Sequence, residues 1–188
     1  MKKGMFIVSI LIVAILVIGV FTGYCADSPS QDVAKRKQQI QKGFDGGKRG
    51  FMKWGADINS FPHLALKDAD PQLPELKRYD DPELSEQMEK ITRMFGTPPM
   101  PLFYIFYENI FCGIEMQGLE FKKAEEFQNF KYGHWTHLEN LPRPYYGRCW
   151  RIGKIDVSLI GSTGESWGSL FINYTPLTNK YMPKMKEK

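Results

Sequence analysis

The sequence predicts an α+β fold: a largely antiparallel sheet with one or two helices packed on one face, after an N-terminal hydrophobic leader or anchor. Three observations predict it. Residues 4 to 26 carry no charge. Near the C-terminus, Ile155, Val157 and Leu159, then Leu170, Ile172 and Tyr174, alternate with more polar neighbours, the period of half-buried strands. Earlier segments instead repeat apolar residues at helical spacing, Leu84, Met88, Ile91 and Phe95, on one side of a helix.

The leader follows Lys2 and Lys3 and precedes Asp27. Its apolar part, Met5 to Phe21, is longer than an ordinary signal-peptide core and near the lower limit for a spanning helix. At 1.5 Å per residue, 23 uncharged residues reach about 34 Å, enough to cross a hydrocarbon core. A soluble core helix would have a polar face, and this stretch has none. The two lysines hold the N-terminus in the cytoplasm, which places the body outside the inner membrane. The Lys35-Arg36-Lys37 cluster argues the other way but lies 14 to 16 residues past Phe21. Cys25 lacks a lipidation context: Tyr24 stands where a small residue is needed and Thr22 where leucine is usual. Cleavage after Cys25, with Gly23 and Cys25 at the recognised positions, and a retained anchor both remain open.

The organisation that follows is a signal peptide or membrane anchor over 1–26, a polar glycine-rich tether over 27–50, one α+β domain over 51–176 and a basic tail over 177–188. A chain of that length can bury a sizeable core. The leader holds two lysines and no acid, so the remainder carries 23 bases against 21 acids. That balance does not describe a nucleic-acid binder. Seven Lys/Arg and one acid lie between Lys35 and Lys53, and four lysines and one acid between Lys180 and Lys188. These read as solvated linker and tail, or as loose attraction to anionic head groups at a membrane surface.

Along the body, Leu64 and Leu66 suggest a short strand, and "DADPQLPEL" reads as a loop. In "DDPELSEQMEKITRMFG", Asp81 suits an N-cap, Pro82 the first helical position and Gly96 the stop; a strand over Lys90 to Phe95 competes with that helix. "PLFYIFYENIFCGIEMQG" reads as a hairpin turning at Glu108-Asn109. "LEFKKAEEFQNFKYG" reads as a helix that ends at Gly133. A meander closes the domain, with strands over Tyr145 to Ile152, Lys154 to Ile160 and Gly168 to Tyr174.

With these elements in place, Phe51-x-Lys53-Trp54-Gly55-x-x-Ile58 resembles the opening of a group of small exported bacterial proteins of unknown function. The likeness continues through the Phe/Tyr hairpin, Tyr132-Gly133, Trp150 and Gly168-x-Leu170-x-Ile172-x-Tyr174, over most of 51 to 176. The stretch from Asp81 to Pro101 departs from it and reads as an insertion. The resemblance implies an envelope α+β domain and carries over no catalytic residue.

Few constellations point to chemistry. "GFDGGKRG" fails the phosphate-loop pattern: Gly47-Lys48 is followed by Arg49, and Lys42 stands where the first glycine belongs. Gly164-Glu165-Ser166-Trp167-Gly168 matches G-x-S-x-G, but a strand follows Ser166 and no histidine comes after it. His134 and His137 are spaced to share a metal, with Glu139 or Cys149 as a third ligand. Cys149 with one of those histidines and Asp156 would make a thiol nucleophile set. Trp54, Trp135, Trp150 and Trp167, with Tyr145 and Tyr146, would line a groove for a peptide, sugar or lipid, or else pack the core. Asn173-Tyr174-Thr175 matches the glycosylation triplet but lies in a strand. Strand parity sets Cys112, grouped with Ile110, Ile114 and Met116, on the face opposite Cys149, so no disulfide is expected between them.

The reading is a non-catalytic, exported cell-envelope accessory or binding module. Its partner is an unknown envelope protein or small ligand, with no nucleic acid and no cofactor called for. The alternatives are a small periplasmic hydrolase using Cys149 or Ser166, and a metal-binding protein through His134 and His137.

Overall fold

Glu108 and Asn109 both take positive φ, 50° and 68°, the pair of left-handed residues that closes a two-residue hairpin without splaying its strands. The strands they join are β5 (Leu102–Tyr107) and β6 (Ile110–Glu120). The computed structural model describes residues 29–45, 51–95, 100–138 and 141–186. The leader, the glycine-rich stretch 46–50 with its failed phosphate loop, and Glu139 lie outside them.

The hairpin sits inside an eight-stranded sheet. Its other strands are β3 (Ala65–Ala69), β4 (Leu76–Asp80), β7 (Thr136–His137), β8 (Tyr145–Ile152), β9 (Ile155–Ser162) and β10 (Trp167–Tyr174). The order is β3-β4-β5-β6-β10-β9-β8-β7, every neighbour antiparallel. A separate ribbon pairs β1 (Gly43–Asp45) with β2 (Phe51–Lys53). The helices are α1 (Pro29–Lys42), α2 (Pro82–Phe95), α3 (Phe121–Tyr132) and α4 (Thr175–Lys186). The fold is α+β around a large antiparallel sheet.

The meander strands and α2 fall where the alternation and the N-terminal signals place them. Asp81 accepts from the backbone N–H groups of Glu83 and Leu84 at 3.1 and 3.2 Å. The competing strand over Lys90 to Phe95 is thereby corrected to helix. The loop expected at "DADPQLPEL" is shorter than read, because its ends belong to β3 and β4. Strand β4 was hidden by its charged residues. Arg78 binds Asp68 of β3 at 2.7 Å and Glu115 of β6 at 3.2 Å, over the Phe103 ring. A charged side chain here joins strands, as an apolar one would.

Two further corrections concern the ends. The segment read as a tether contains helix α1 and strand β1. Ala, Lys, Arg and Gln over residues 34–42 are strong helix formers, and Ile40 is buried. The Trp54 indole N–H donates to the Ile40 carbonyl at 2.9 Å. The segment read as a basic tail is helix α4. Its Leu177 and Tyr181, one turn apart, pack with Leu73, Ile105, Tyr107 and Cys112. That cluster lies on the sheet face opposite the main core, so helices cover both faces, not one.

The main core lies between the other face and α3. Phe106, Phe111, Ile114, Ile155, Val157 and Leu159 are wholly buried there. Helix α3 approaches closely because Gly161 has no side chain: a Cβ there would sit 2.7 Å from the Phe121 ring. Trp150 is buried, and its indole N–H reaches the Gly133 carbonyl at 2.9 Å and Asn129 Oδ1 at 3.2 Å, tying β8 to the end of α3. Trp54 is stacked between Phe111 and Tyr174, at 4.9 and 6.0 Å between ring centres.

Trp150→Ala therefore opens a cavity and removes a buried donor's partnership with α3. The expected loss is about 3–5 kcal/mol, read from denaturant unfolding of the full chain; an unchanged midpoint would place Trp150 on a surface.

Candidate functional site

Strand β8 carries four of the residues singled out in the sequence, Tyr145, Tyr146, Cys149 and Trp150, and its two sides differ. Tyr146, Arg148, Trp150 and Ile152 face the main core; Tyr145, Gly147, Cys149 and Arg151 face the other way, as the pairing with β9 requires. On the core side, the Arg148 guanidinium lies 4.0 Å from the Trp135 ring centre, with Phe121 and Tyr146 at about 6 Å. Its Nε donates to Glu125 of α3 at 3.3 Å. Sequence reasoning missed this cage. Its signal is an arginine on the apolar side of an alternating strand.

The predicted thiol set does not assemble. His137 pairs with Arg148 across β7 and β8, so its ring lies on the core side, edge-on to Trp135. Cys149 lies on the opposite face, with Ser158 as its neighbour on β9. Asp156 is on that second face but is engaged by Arg151 at 2.9 and 3.3 Å. Burial first, then the Asp156 charge, pushes the Cys149 thiol up, which is the reverse of an activated nucleophile.

The metal set fares no better. His134 and His137 are exposed, Cys149 is across the sheet from His137, and Glu139 lies outside the described residues. Among the described residues, no group of three or more potential ligands converges. Ser166 sits in the turn between β9 and β10, where Glu165 N–H bonds the Ser162 carbonyl at 3.1 Å and Gly164 takes φ 92°. Its own carbonyl accepts from Phe121 N–H at 2.8 Å. This is turn geometry, and it leads into a strand.

Cys112 requires a correction. The register of β5 with β6 slips from Phe106↔Phe111 to Ile105↔Gly113. The bulge leaves Cys112 turned toward Ile105, Tyr107 and Tyr181, on the same face as Cys149 and opposite Ile114. The opposite-face argument is thus overturned. What separates the two sulfurs is distance: β10 and β9 lie between β6 and β8. Three strand spacings make about 14 Å, against about 3.8 Å between Cβ atoms in a disulfide.

The aromatic residues divide into core and surface. Trp54 and Trp150 pack as described, and Trp135 stacks on Arg148. Tyr145 and Trp167 are 52% and 42% exposed, too open to be core. Tyr145 pairs with Ser162 on β9, and Gly168 with Gly161, so Tyr145, Ser162 and Trp167 form one row across β8, β9 and β10. All three point to the second face, because Tyr146 and Gly161 point to the first. Two strand spacings set the rings' stems roughly 10 Å apart, with only a serine between. A concavity of about 450 Å³ lies elsewhere, between α2 and the start of β5, lined by Leu84, Met88, Met100, Pro101, Leu102 and Gly118. None of the predicted site residues borders it.

Comparisons with protein-family models, with curated proteins and with solved structures give no match to this chain.

Burial pushes the Cys112 thiol up to about 12 and raises that of Cys149. In native protein at pH 8, iodoacetamide is expected to leave both unmodified and to label both after denaturation; rapid native labelling of Cys149 would show an open face. The unfolded Cys112 thiol ionises near 9. The folded state therefore holds its proton longer, and stability falls as pH rises from 9 toward 12. A flatter alkaline unfolding curve for Cys112→Ala checks the sign.

Proposed function

We propose that this chain is a non-catalytic, exported cell-envelope binding module, and that its ligand or partner contacts the Tyr145–Trp167 pair. The observation that carries the reading is the exposure of two large aromatic side chains on one sheet face, across a single intervening strand. Large aromatic side chains dominate the energetics of interfaces, and about half of each of these two is open to a partner. Both stand on paired strands, so a partner meets them already positioned.

The export part rests on the charge-free run from residue 4 to 26 and on the resemblance carried by Phe51, Lys53, Trp54, Gly55 and Ile58. Among the described residues no helix is long and apolar enough to cross a membrane; the run itself lies before them. The non-catalytic part draws on the arrangement of Cys149, His137 and Asp156, which turns the thiol away from the imidazole and keeps it protonated.

The test is crosslinking and pull-down from the native envelope with the full chain and with the double variant Tyr145→Ala, Trp167→Ala. The variant is expected to lose the wild-type partner while its stability stays within roughly 0.5 kcal/mol per substitution, as at other surface positions. Retention of the same partner, or a destabilisation typical of core residues, overturns the assignment.

A further inference from the structure

Three exposed lysines from distant parts of the chain meet at the end of α1. Lys42 is the last residue of α1, and Gly43 after it lies opposite Lys53 in the ribbon. The turn between β8 and β9, Gly153 and Lys154, abuts the same place: a Cβ on Gly153 would sit 2.5 Å from Gln41 Nε2. The Thr175 N–H fixes that turn by donating to the Lys154 carbonyl at 2.8 Å. A fourth lysine extends the group along the helix. Val33, Arg36, Lys37 and Ile40 of α1 are half-buried or buried, while Lys35, Gln38, Gln39 and Lys42 are exposed, the two opposite sides of one helix. Lys35 thus stands on the same side as Lys42, two turns earlier and about 10 Å along the axis.

Among the described residues, no carboxylate pairs with Lys35, Lys42, Lys53 or Lys154. Helix α1 and the ribbon together carry five bases against two acids, Asp32 and Asp45. Like charges gathered in this way repel one another, and a surface of opposite sign relieves them. Phe51 adds an apolar element. It lies two residues before Lys53, on the same side of β2, and is 43% exposed, whereas Met52 between them is buried. An exposed ring beside lysines suits the boundary between head groups and acyl chains: the ring enters, and the ammonium groups stay among the head groups.

We propose that the lysine side of α1, with Lys53, Lys154 and Phe51, is a contact surface for an anionic lipid bilayer. The choice of a bilayer over an acidic protein rests on the export reading above: α1 begins three residues after Ala26, where the charge-free run ends. Standing upright, α1 would lift Lys42, Lys53 and Lys154 about 20 Å from that point, more than two screening lengths at physiological salt. Lying along the bilayer, it brings Lys35 and Lys42 to the head groups together, and Lys53 and Lys154 with them. The patch therefore sets how the body lies on the membrane.

The test reconstitutes the full chain into vesicles of phosphatidylcholine alone, or of phosphatidylcholine with phosphatidylglycerol, and reads lysine acetylation by mass spectrometry. Lys42, Lys53 and Lys154 are expected to react about threefold or more slowly when phosphatidylglycerol is present, and the difference to vanish at about 1 M salt. Lys122 is exposed and follows the Phe121 ring, which packs on Gly161 at the other end of β9; it is expected to react alike in both. The triple variant Lys42→Gln, Lys53→Gln, Lys154→Gln keeps the fold, as surface substitutions do, and in it Lys35 is expected to lose its protection. Equal rates in the two lipids, or a Lys35 still protected in the triple variant, overturn the patch. Equal protection by soluble polyglutamate, with the chain in neutral detergent micelles, assigns an acidic protein and overturns the bilayer. Retention in phosphatidylcholine vesicles at high salt reads the leader separately: its loss counts against the anchor, while the acetylation difference still decides the patch.

Discussion

In β6 the chain spends one extra residue against β5. Phe111 and Ile114 therefore both face the main core, although three positions apart, while Cys112 faces the second cluster beneath α4. A regular strand would have sent Phe111 and Ile114 to opposite sides. The bulge lets the middle of the sheet bury apolar groups on both faces, and the two helical layers depend on it. Helix α3 closes the first face over β8 and β9, Trp54 covers Phe111 beside it, and α4 closes the second over Cys112, Ile105 and Tyr107. The Cys112 thiol, donating to the Ile105 carbonyl at 3.4 Å, fills the place where the register slips.

Two tryptophans extend that arrangement to the N-terminal segment and to the far strands. Trp54 stacks on Phe111 and binds the Ile40 carbonyl, so α1 is joined to the bulged strand through one side chain. Trp150 joins β8 to the carboxyl end of α3. In both, the ring supplies burial and the indole N–H supplies direction, and the donor reaches a backbone carbonyl near a helix end, where such groups lack intrahelical partners. Trp167 has neither burial nor such a partner, and Trp135 meets a guanidinium. One residue type thus does three different things, and the strand face and the neighbouring helix end decide which.

That division explains what the sequence made legible. The hairpin, α2 and the meander announce themselves through period and turn chemistry, since Asn109, Asp81 and alternating Ile and Val are local signals. Helices α1 and α4 do not. Among the described residues, α1 buries Ile40 and α4 packs Leu177 and Tyr181 against the sheet, and polar residues stand beside them. Their stability comes from tertiary contact, which composition does not reveal. Strand β4 was hidden for the same reason, its Arg78 being satisfied only by Asp68 and Glu115 on neighbouring strands. The cysteine faces were misread because parity counts residues and a bulge adds one. For the candidate site, the sequence offers Tyr145 and Trp167 within a longer set of aromatics. Only the register of β8, β9 and β10 separates them from the packed ones.

The helical character of residues 29–42 also changes what the leader would do. A flexible tether of that length lets a body wander from its attachment point. Helix α1 begins three residues after Ala26 and is fastened to the sheet through Trp54. If residues 4–26 span or line a membrane, as proposed, the body is held close to the bilayer in a limited range of orientations. The basic residues Lys35, Arg36, Lys37 and Lys42 then lie within the region where anionic head groups attract them. Close, oriented attachment suits a module that presents Tyr145 and Trp167 from rigid strands, because a fixed surface loses less freedom on meeting a partner than one that swings on a linker.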